Sequence, residues 1–389
     1  MKFKIGVLFF SLSFYSCSKD VDTFNKEKTL ALDPTNLSTI PVNDKSSNVF
    51  ALSQIHLEEN GNPLFIHLNY FDSNPNYLFV NSLNDPTLDL VLEFENEGPN
   101  GVGGVTEFYF HSFDSIFLVD RYRYLVSLAD SSGLVKKSYR LKNSDSNRPD
   151  AESVLPWSTP KSRIFLRGKF LYIPTLPDTD PFKSQYKKKN LLLKLDLETG
   201  DYTALLGYPE WYQDGNFWGG PDHKLPSISP MEDQNKLLIS FPLVDSVYLF
   251  DLETESMTPY FHMGSSNIES PIPINFEDNQ TDKSRHFQLG TDYYFSINYD
   301  PYRKEFWRVF FKRYDEESIT KILKRESGRS NQQFFLVYDE NLKKIGEYEI
   351  DEELNMNAYD LLFLENGAFI SATPDSIEDE VIFRRLIIK

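Results

Sequence analysis

Six histidines, one cysteine and a large excess of carboxylates are the residues of this chain best suited to chemistry. The histidines are His56, His67, His111, His223, His262 and His286, and no two have the His-x-x-x-His spacing that turns a pair of imidazoles toward one metal ion. A single cysteine, Cys17, excludes an intramolecular disulfide and a cysteine-based zinc site. No motif calls for a metal or any other cofactor. No Gly-x-Ser-x-Gly elbow and no Walker loop are present. Gly98-Pro-Asn-Gly-Val-Gly-Gly104 has the glycine density of a phosphate cradle, but the strand-like Glu107-Phe-Tyr-Phe110 follows it rather than a helix. It reads as a structural turn. Glycoside hydrolysis needs two carboxyl groups roughly 5–10 Å apart, and with 58 acidic residues the sequence does not select a pair.

Two segments have the composition of recognition surfaces. Tyr208 to His223 holds Trp211, Tyr212, Asp214 and Trp218 among glycines and asparagine, too irregular for a strand or a helix. Aromatic rings on a loop stack on sugar faces or peptide side chains, and the neighbouring polar groups fix orientation. The competing role for Trp211 and Trp218 is to plug gaps in the core. The second segment, an insertion from Arg303 to Arg329, carries nine basic and five acidic residues in an otherwise acidic chain. Glu316 to Arg325 reads as a short helix with Ile319, Ile322 and Leu323 on one side. Lys321, Lys324 and Arg325 then form a candidate basic surface for an anionic target, against the plainer role of solvated charges. Tyr302 and Arg303, at the start of this segment, are further candidates for ligand contact.

The elements that must position these residues are strands. Short aromatic-rich or alternating runs end in acidic turns: Tyr124–Leu128 before Asp130-Ser-Ser-Gly133, Leu191–Leu197 before Glu198-Thr-Gly200, Ser246–Leu252 before Glu253-Thr-Glu255, Phe334–Tyr338 before Asp339-Glu-Asn341. Repetition of one antiparallel unit is the mark of a propeller. The expected fold is all-β, a six-bladed β-propeller of four-stranded antiparallel blades, with seven as the alternative count. The expected blade cores are 48–95, 105–141, 163–206, 226–262, 285–350 and 356–389. The last run, Val381 to Ile388, is expected to close the ring against strands near Val49, since an open end would leave unpaired edges.

Lys2 and Lys4 precede an apolar run from Ile5 to Phe14, too short for the ~20 residues of a membrane span. Cys17 stands directly after it. Residues 1–16 therefore read as a lipoprotein signal peptide, with Cys17 the site of lipid attachment. Residues 17–46 read as the lipidated N-terminus and a polar tether, and 47–389 as the propeller. The acyl chains would anchor the protein to a membrane, placing it as an outer-membrane lipoprotein on the periplasmic or cell-surface face. The 40 basic and 58 acidic residues give a net charge of −18, which argues against nucleic acid as a partner. Aromatic residues at 15% exclude a disordered chain.

The signal-plus-cysteine start, the segment Glu97-Gly-Pro-Asn-Gly-Val-Gly103 and the segment Asn298-Tyr-Asp-Pro-Tyr-Arg-Lys-Glu-Phe-Trp-Arg308 resemble the six-bladed propeller lipoproteins of Bacteroidota. That group has a domain of unknown function. The resemblance implies fold and location and brings no catalytic residue with it. The expected role is a lipid-anchored extracytoplasmic module that binds an envelope protein, a peptide or a glycan. The alternative is a polysaccharide hydrolase or lyase with carboxylates at the channel mouth, since propellers host both kinds of function.

Overall fold

A computed structural model describes residues 30–42, 45–46, 50–69, 76–85, 87–141, 154–177, 189–231, 234–265, 268, 271–278, 281–326, 331–350, 361–371 and 379–388. The signal segment and Cys17 lie outside the described residues. Six antiparallel sheets follow one another as the blades of a propeller. Blade 1 is Phe50–Leu57, Pro63–Asn69, Asn76–Ser82 and Asp89–Phe94. Blade 2 is Glu107–Ser112, Ser115–Asp120, Leu125–Ala129 and Val135–Arg140. Blade 3 has an inner strand in two pieces, Val154–Pro156 and Phe165–Arg167, then Phe170–Pro177, Lys189–Asp196 and Tyr202–Gly207. Blade 4 is Ser227–Met231, Lys236–Ser240, Ser246–Asp251 and Ser256–His262. Blade 5 is Tyr293–Asp300, Glu305–Phe311, Gln333–Tyr338 and Lys344–Glu349. Blade 6 is Leu361–Leu364, Gly367–Ser371 and Glu380–Ile388, with Leu30–Pro41 as its outer strand.

That outer strand corrects two expectations. The ring closes between Leu30–Pro41 and Glu380–Ile388, not near Val49, and the strand occupies residues assigned to the tether. An outer strand buries one face only, so its polar look is compatible with pairing. Ala31 and Ile40 are buried while Pro34 lies where the register shifts, between Leu32 and Asn36. Proline is tolerated on such an edge because the missing N–H faces away from the ladder. The last blade is thus built from two segments far apart in sequence, and the pairing covers the edge of Glu380–Ile388.

The core consists of six apolar layers, one between each pair of neighbouring blades. Leu64, Ile66 and Val80 of blade 1 meet Phe108, Phe110 and Leu118 of blade 2. The sixth layer joins blade 6 back to blade 1 through Phe369, Phe383 and Phe65. Inner and middle strands are covered on both faces, which explains why runs such as Phe306–Phe311 are buried almost throughout. The acidic turns form as expected. Asp196 accepts from the Glu198 and Thr199 amides at 2.9 and 3.2 Å, and Asp251 repeats this with Glu253 and Thr254 at 2.9 Å each. These bonds hold both carboxyls below the ordinary aspartate range, with the Lys169 hydrogen bond the main cause at Asp196 and the Thr254 amide at Asp251.

Both segments that carried the family resemblance are joints between blades. Gly103 has φ +79°, and a Cβ there would sit 2.1 Å from Asp120 Oδ2, so only glycine fits. Its carbonyl accepts from Asn76 Nδ2 at 2.8 Å. Gly98–Gly104 is therefore a turn between blades 1 and 2, as its sequence implied. Arg308 is fully buried in blade 5 and reaches into blade 4. Its guanidinium donates to the carbonyls of Val244, Asp245 and Met263 at 2.7 Å each and to Ser240 Oγ, and it stacks 3.4 Å from the centre of the Tyr294 ring. All five N–H groups of the fork are used.

Candidate functional site

The inner strands of all six blades converge on a cavity of about 470 Å³ along the propeller axis. Every blade contributes a wall residue: His56, Tyr109, Lys161, Ser229, Asn298 and Phe363 in order. Leu57, Arg167 and Tyr302 lie at the ends of inner strands or just beyond, on the side of the short turns that leave those strands. Tyr302 is exposed there.

The split inner strand of blade 3 builds the deep end. Between Val154–Pro156 and Phe165–Arg167 the chain leaves the sheet and touches blade 4. Thr159 and Ser162 exchange backbone hydrogen bonds at 3.0 and 2.9 Å, closing a tight turn around Pro160 and Lys161. Two buried serines pin that turn. Ser162 Oγ donates to the Pro226 carbonyl at 2.8 Å and accepts from the Ile228 amide at 3.0 Å. Ser227 Oγ donates to the Lys161 carbonyl at 2.8 Å and accepts from the Ile297 amide at 3.0 Å. Blades 3, 4 and 5 thereby fix the backbone of Lys161 at one point. This shell fixes the backbone from which the Lys161 side chain projects.

Lys161 is 6% exposed, and its Nζ makes no hydrogen bond among the described residues. Its Nζ lies 4.9 Å from the centre of the Phe295 ring. Burial lowers its pKa to about 8, partly opposed by the exposed carboxylate of Asp222. His223, beside Asp222, is driven to about 3 by burial and by the charges of Lys161 and Lys224, so it is neutral at physiological pH. Arg163 lies on the same wall, and its Nη2 approaches Ser53 Oγ of blade 1 at 3.5 Å. His56 is lowered by burial first and by His111 second.

The described lining of this cavity includes Lys161, Arg163 and Arg167 and no aspartate or glutamate. Two described acids flank this lining along the chain: Glu58, which follows Leu57 and raises the proton affinity of His56, and, before Pro301, Asp300. Asp300 is fully buried, it accepts from the amides of Tyr302 and Arg303 at 3.0 and 3.2 Å, and the Arg303 guanidinium holds its other oxygen. The carboxylate pair expected of a hydrolase is not among the described lining residues.

The other sequence candidates fall elsewhere. Tyr212 is fully buried and donates from its hydroxyl to the His223 carbonyl at 2.7 Å. Trp218 is 8% exposed, and its Nε1 donates to Asp214 Oδ1 at 3.0 Å. Trp211 is half-buried, edge-on to Trp218 at 4.9 Å, and packs on the layer between blades 3 and 4. The segment is thus a plug over that layer, and its rings are occupied by one another. It also contains a four-residue helix, α1 (Pro221–Lys224). Arg303 donates to the Leu364 carbonyl at 3.2 Å and joins blade 5 to blade 6. The basic insertion begins after Phe311, not at Arg303, because Glu305–Phe311 is a buried strand. It carries α3 (Glu316–Leu323), which packs beside α2 (Asp282–Leu289). Lys321 pairs with Glu317 at 2.7 Å, while Lys324 and Arg325 end α3, where cations offset the helix dipole. A groove of about 1050 Å³ runs along α2 and α3, bridged by His286 Nε2 and Glu316 Oε2 at 3.0 Å. The structure thus brings Tyr302 to the channel and leaves the remaining candidates outside it.

Sequence reasoning passed over Lys161. The available signal was Trp157-Ser-Thr-Pro-Lys-Ser-Arg163, where proline interrupts a strand and two cations enter a stretch otherwise bound for the core. Among the described residues no group of three or more histidine, cysteine, aspartate or glutamate side chains could hold a metal ion, and no helix is long and apolar enough to cross a membrane.

No curated protein matches the chain. Among solved structures, a family member from Bacteroides vulgatus superposes with a TM-score of 0.75 at 17% identity, covering 93% of this chain and 98% of the other. A protein of Bacteroides fragilis thought to be exported gives a TM-score of 0.52 at 14% identity, over 93% and 96% of the two chains. Residues 35–349 match the model of the domain of unknown function DUF4221, which is also the family of the Bacteroides vulgatus protein, and the chain belongs to that family.

Proposed function

We propose that this protein is an extracytoplasmic binding module, anchored through lipid on Cys17 to the outer membrane, whose small-molecule ligand sits in the central channel. One observation carries the reading: a cavity fed by all six inner strands, with a buried lysine held rigidly in its wall and no carboxylate in its described lining. About 470 Å³ falls within the ~300–1,000 Å³ of small-molecule sites. Hydrolysis of a polysaccharide needs an acid and a base or nucleophile, and this lining offers cations and aromatic rings instead. The export assigned to the Bacteroides fragilis relative supports a site outside the cytoplasm.

The test is to purify the protein from its native envelope in detergent, denature it and identify the released small molecules by mass spectrometry. A Ser229→Trp variant, which fills the channel, serves as the control. The expected result is a near-stoichiometric compound from the wild type that is lost in the variant. Equal release from both, or none from the wild type, would reject the channel as the site.

A further inference from the structure

Lys161 lines the channel cavity, and its ammonium is buried with no hydrogen-bond partner among the described residues. A buried ammonium without a hydrogen-bonding partner is costly, and folds ordinarily pair such groups. Here the pairing is absent while the backbone beneath it is fixed by four hydrogen bonds from Ser162 and Ser227. The rigidity rules out that Lys161 is an accident of a loose loop. Among the described residues the groups facing it are Phe295 on blade 5 and, through space, Asp222 and neutral His223 at α1, none of which hydrogen-bonds the ammonium. Arg163 and Arg167 add charge of the same sign farther along the wall.

We infer that the channel's ligand is a small anionic sugar, whose carboxylate or phosphate meets Lys161 at the deep end while its ring lies among the aromatic side chains of the wall. This rests on the channel reading above and deepens it. Three observations select the class. First, the described lining is cationic and includes no carboxylate, in a chain whose net charge is −18. An acidic body repels polyanions at long range, so a cationic well inside it suits a small ligand with one oxyanion. Second, Tyr109, Tyr299, Tyr302 and Phe363 surround the rest of the cavity. Flat rings of this kind pack on the C–H faces of a sugar, and tyrosine hydroxyls serve its polar edge. Third, the mouth lies on the face of the short turns, where Tyr302 is exposed, so the ring end of the ligand reaches solvent and the charged end does not.

Carboxylate and phosphate share this chemistry, and calorimetry separates them. The full-length protein in detergent is titrated at pH 7 with glucuronate, glucose 6-phosphate and glucose, alongside Lys161→Met and Lys161→Gln. At least one of the two acids should bind, with glucose about tenfold weaker or worse, as expected for loss of a desolvated charge pair. Whichever acid binds more tightly identifies the oxyanion. Both Lys161 variants should reduce the acids to the level of glucose. Glucose binding as tightly as the acids, unchanged affinity in both variants, or no binding by any of the three would overturn the inference. If glucose binding is strong and Ser229→Trp abolishes it, the channel survives as the site and only its charge preference falls.

Discussion

Replacing Lys161 with methionine should make the ligand-free protein more stable, a direction opposite to that of most core substitutions. Burial takes the lysine from its ordinary 10.5 to about 8. Below pH 8 both folded and unfolded chains carry the proton, and the folded state bears the full cost of the buried charge. That cost is of order 3 kcal/mol, at about 1.4 kcal/mol per tenfold change in proton affinity. Between pH 8 and 10.5 the folded state loses its proton first, so the cost fades and wild-type stability rises with pH over that window. Methionine fills a similar volume and carries no charge. It forgoes the attraction of the ammonium for the Phe295 ring, worth about 1–2 kcal/mol when desolvated. The net gain at pH 7 is therefore about 1–2 kcal/mol. Urea unfolding of ligand-stripped wild type and Lys161→Met at pH 7 and pH 10 measures it. The variant should have the higher midpoint at pH 7, and its advantage should shrink or reverse at pH 10. A variant that is less stable at pH 7 by as much as at pH 10 would show that the ammonium is already compensated in the fold and that Lys161 does not await an anion.

Arg308→Lys should cost about 3–5 kcal/mol, because an ammonium cannot serve the carbonyls of Val244, Asp245 and Met263 together and at least one stays buried without a donor; chemical denaturation would reveal it, and a loss under 1 kcal/mol would contradict the staple. Gly103→Ala should lower stability by about 2–4 kcal/mol, since the new methyl group meets Asp120 at a positive φ; a thermal melt within 1 °C of wild type would refute the close approach. Deleting residues 18–41 removes the outer strand of blade 6 and should yield aggregates on size-exclusion chromatography, as an opened ring exposes the edge of Glu380–Ile388. A monodisperse, fully folded product would mean that closure does not depend on that strand.

The repeat was legible because blades 2 to 5 share one pattern: an aromatic or aliphatic strand, an aspartate whose carboxylate accepts from the next turn's amides, and a second strand. The six-blade count and most blade limits follow from that repetition. The closing strand was hidden because an outer strand with a single buried face, two register shifts and a proline has the composition of a linker. Trp211 and Trp218 misled for a related reason. Tryptophan in a glycine-rich segment suits a ligand face and a core plug equally, and only the placement of Tyr212 and Asp214 beneath the rings decides for the plug. Lys161 escaped notice because its importance lies in what does not surround it. Missing partners are a property of three blades meeting in space, and local sequence does not encode them.

Bromide diffraction tests the central claim most directly. Crystals of the protein soaked in sodium bromide and measured at the bromine absorption edge should show an anomalous peak in the channel, within hydrogen-bonding distance of Lys161 Nζ, and none there in Lys161→Met. Peaks confined to the outer surface, with the channel empty of bromide in the wild type, would contradict the account of the propeller axis as an anion-binding site.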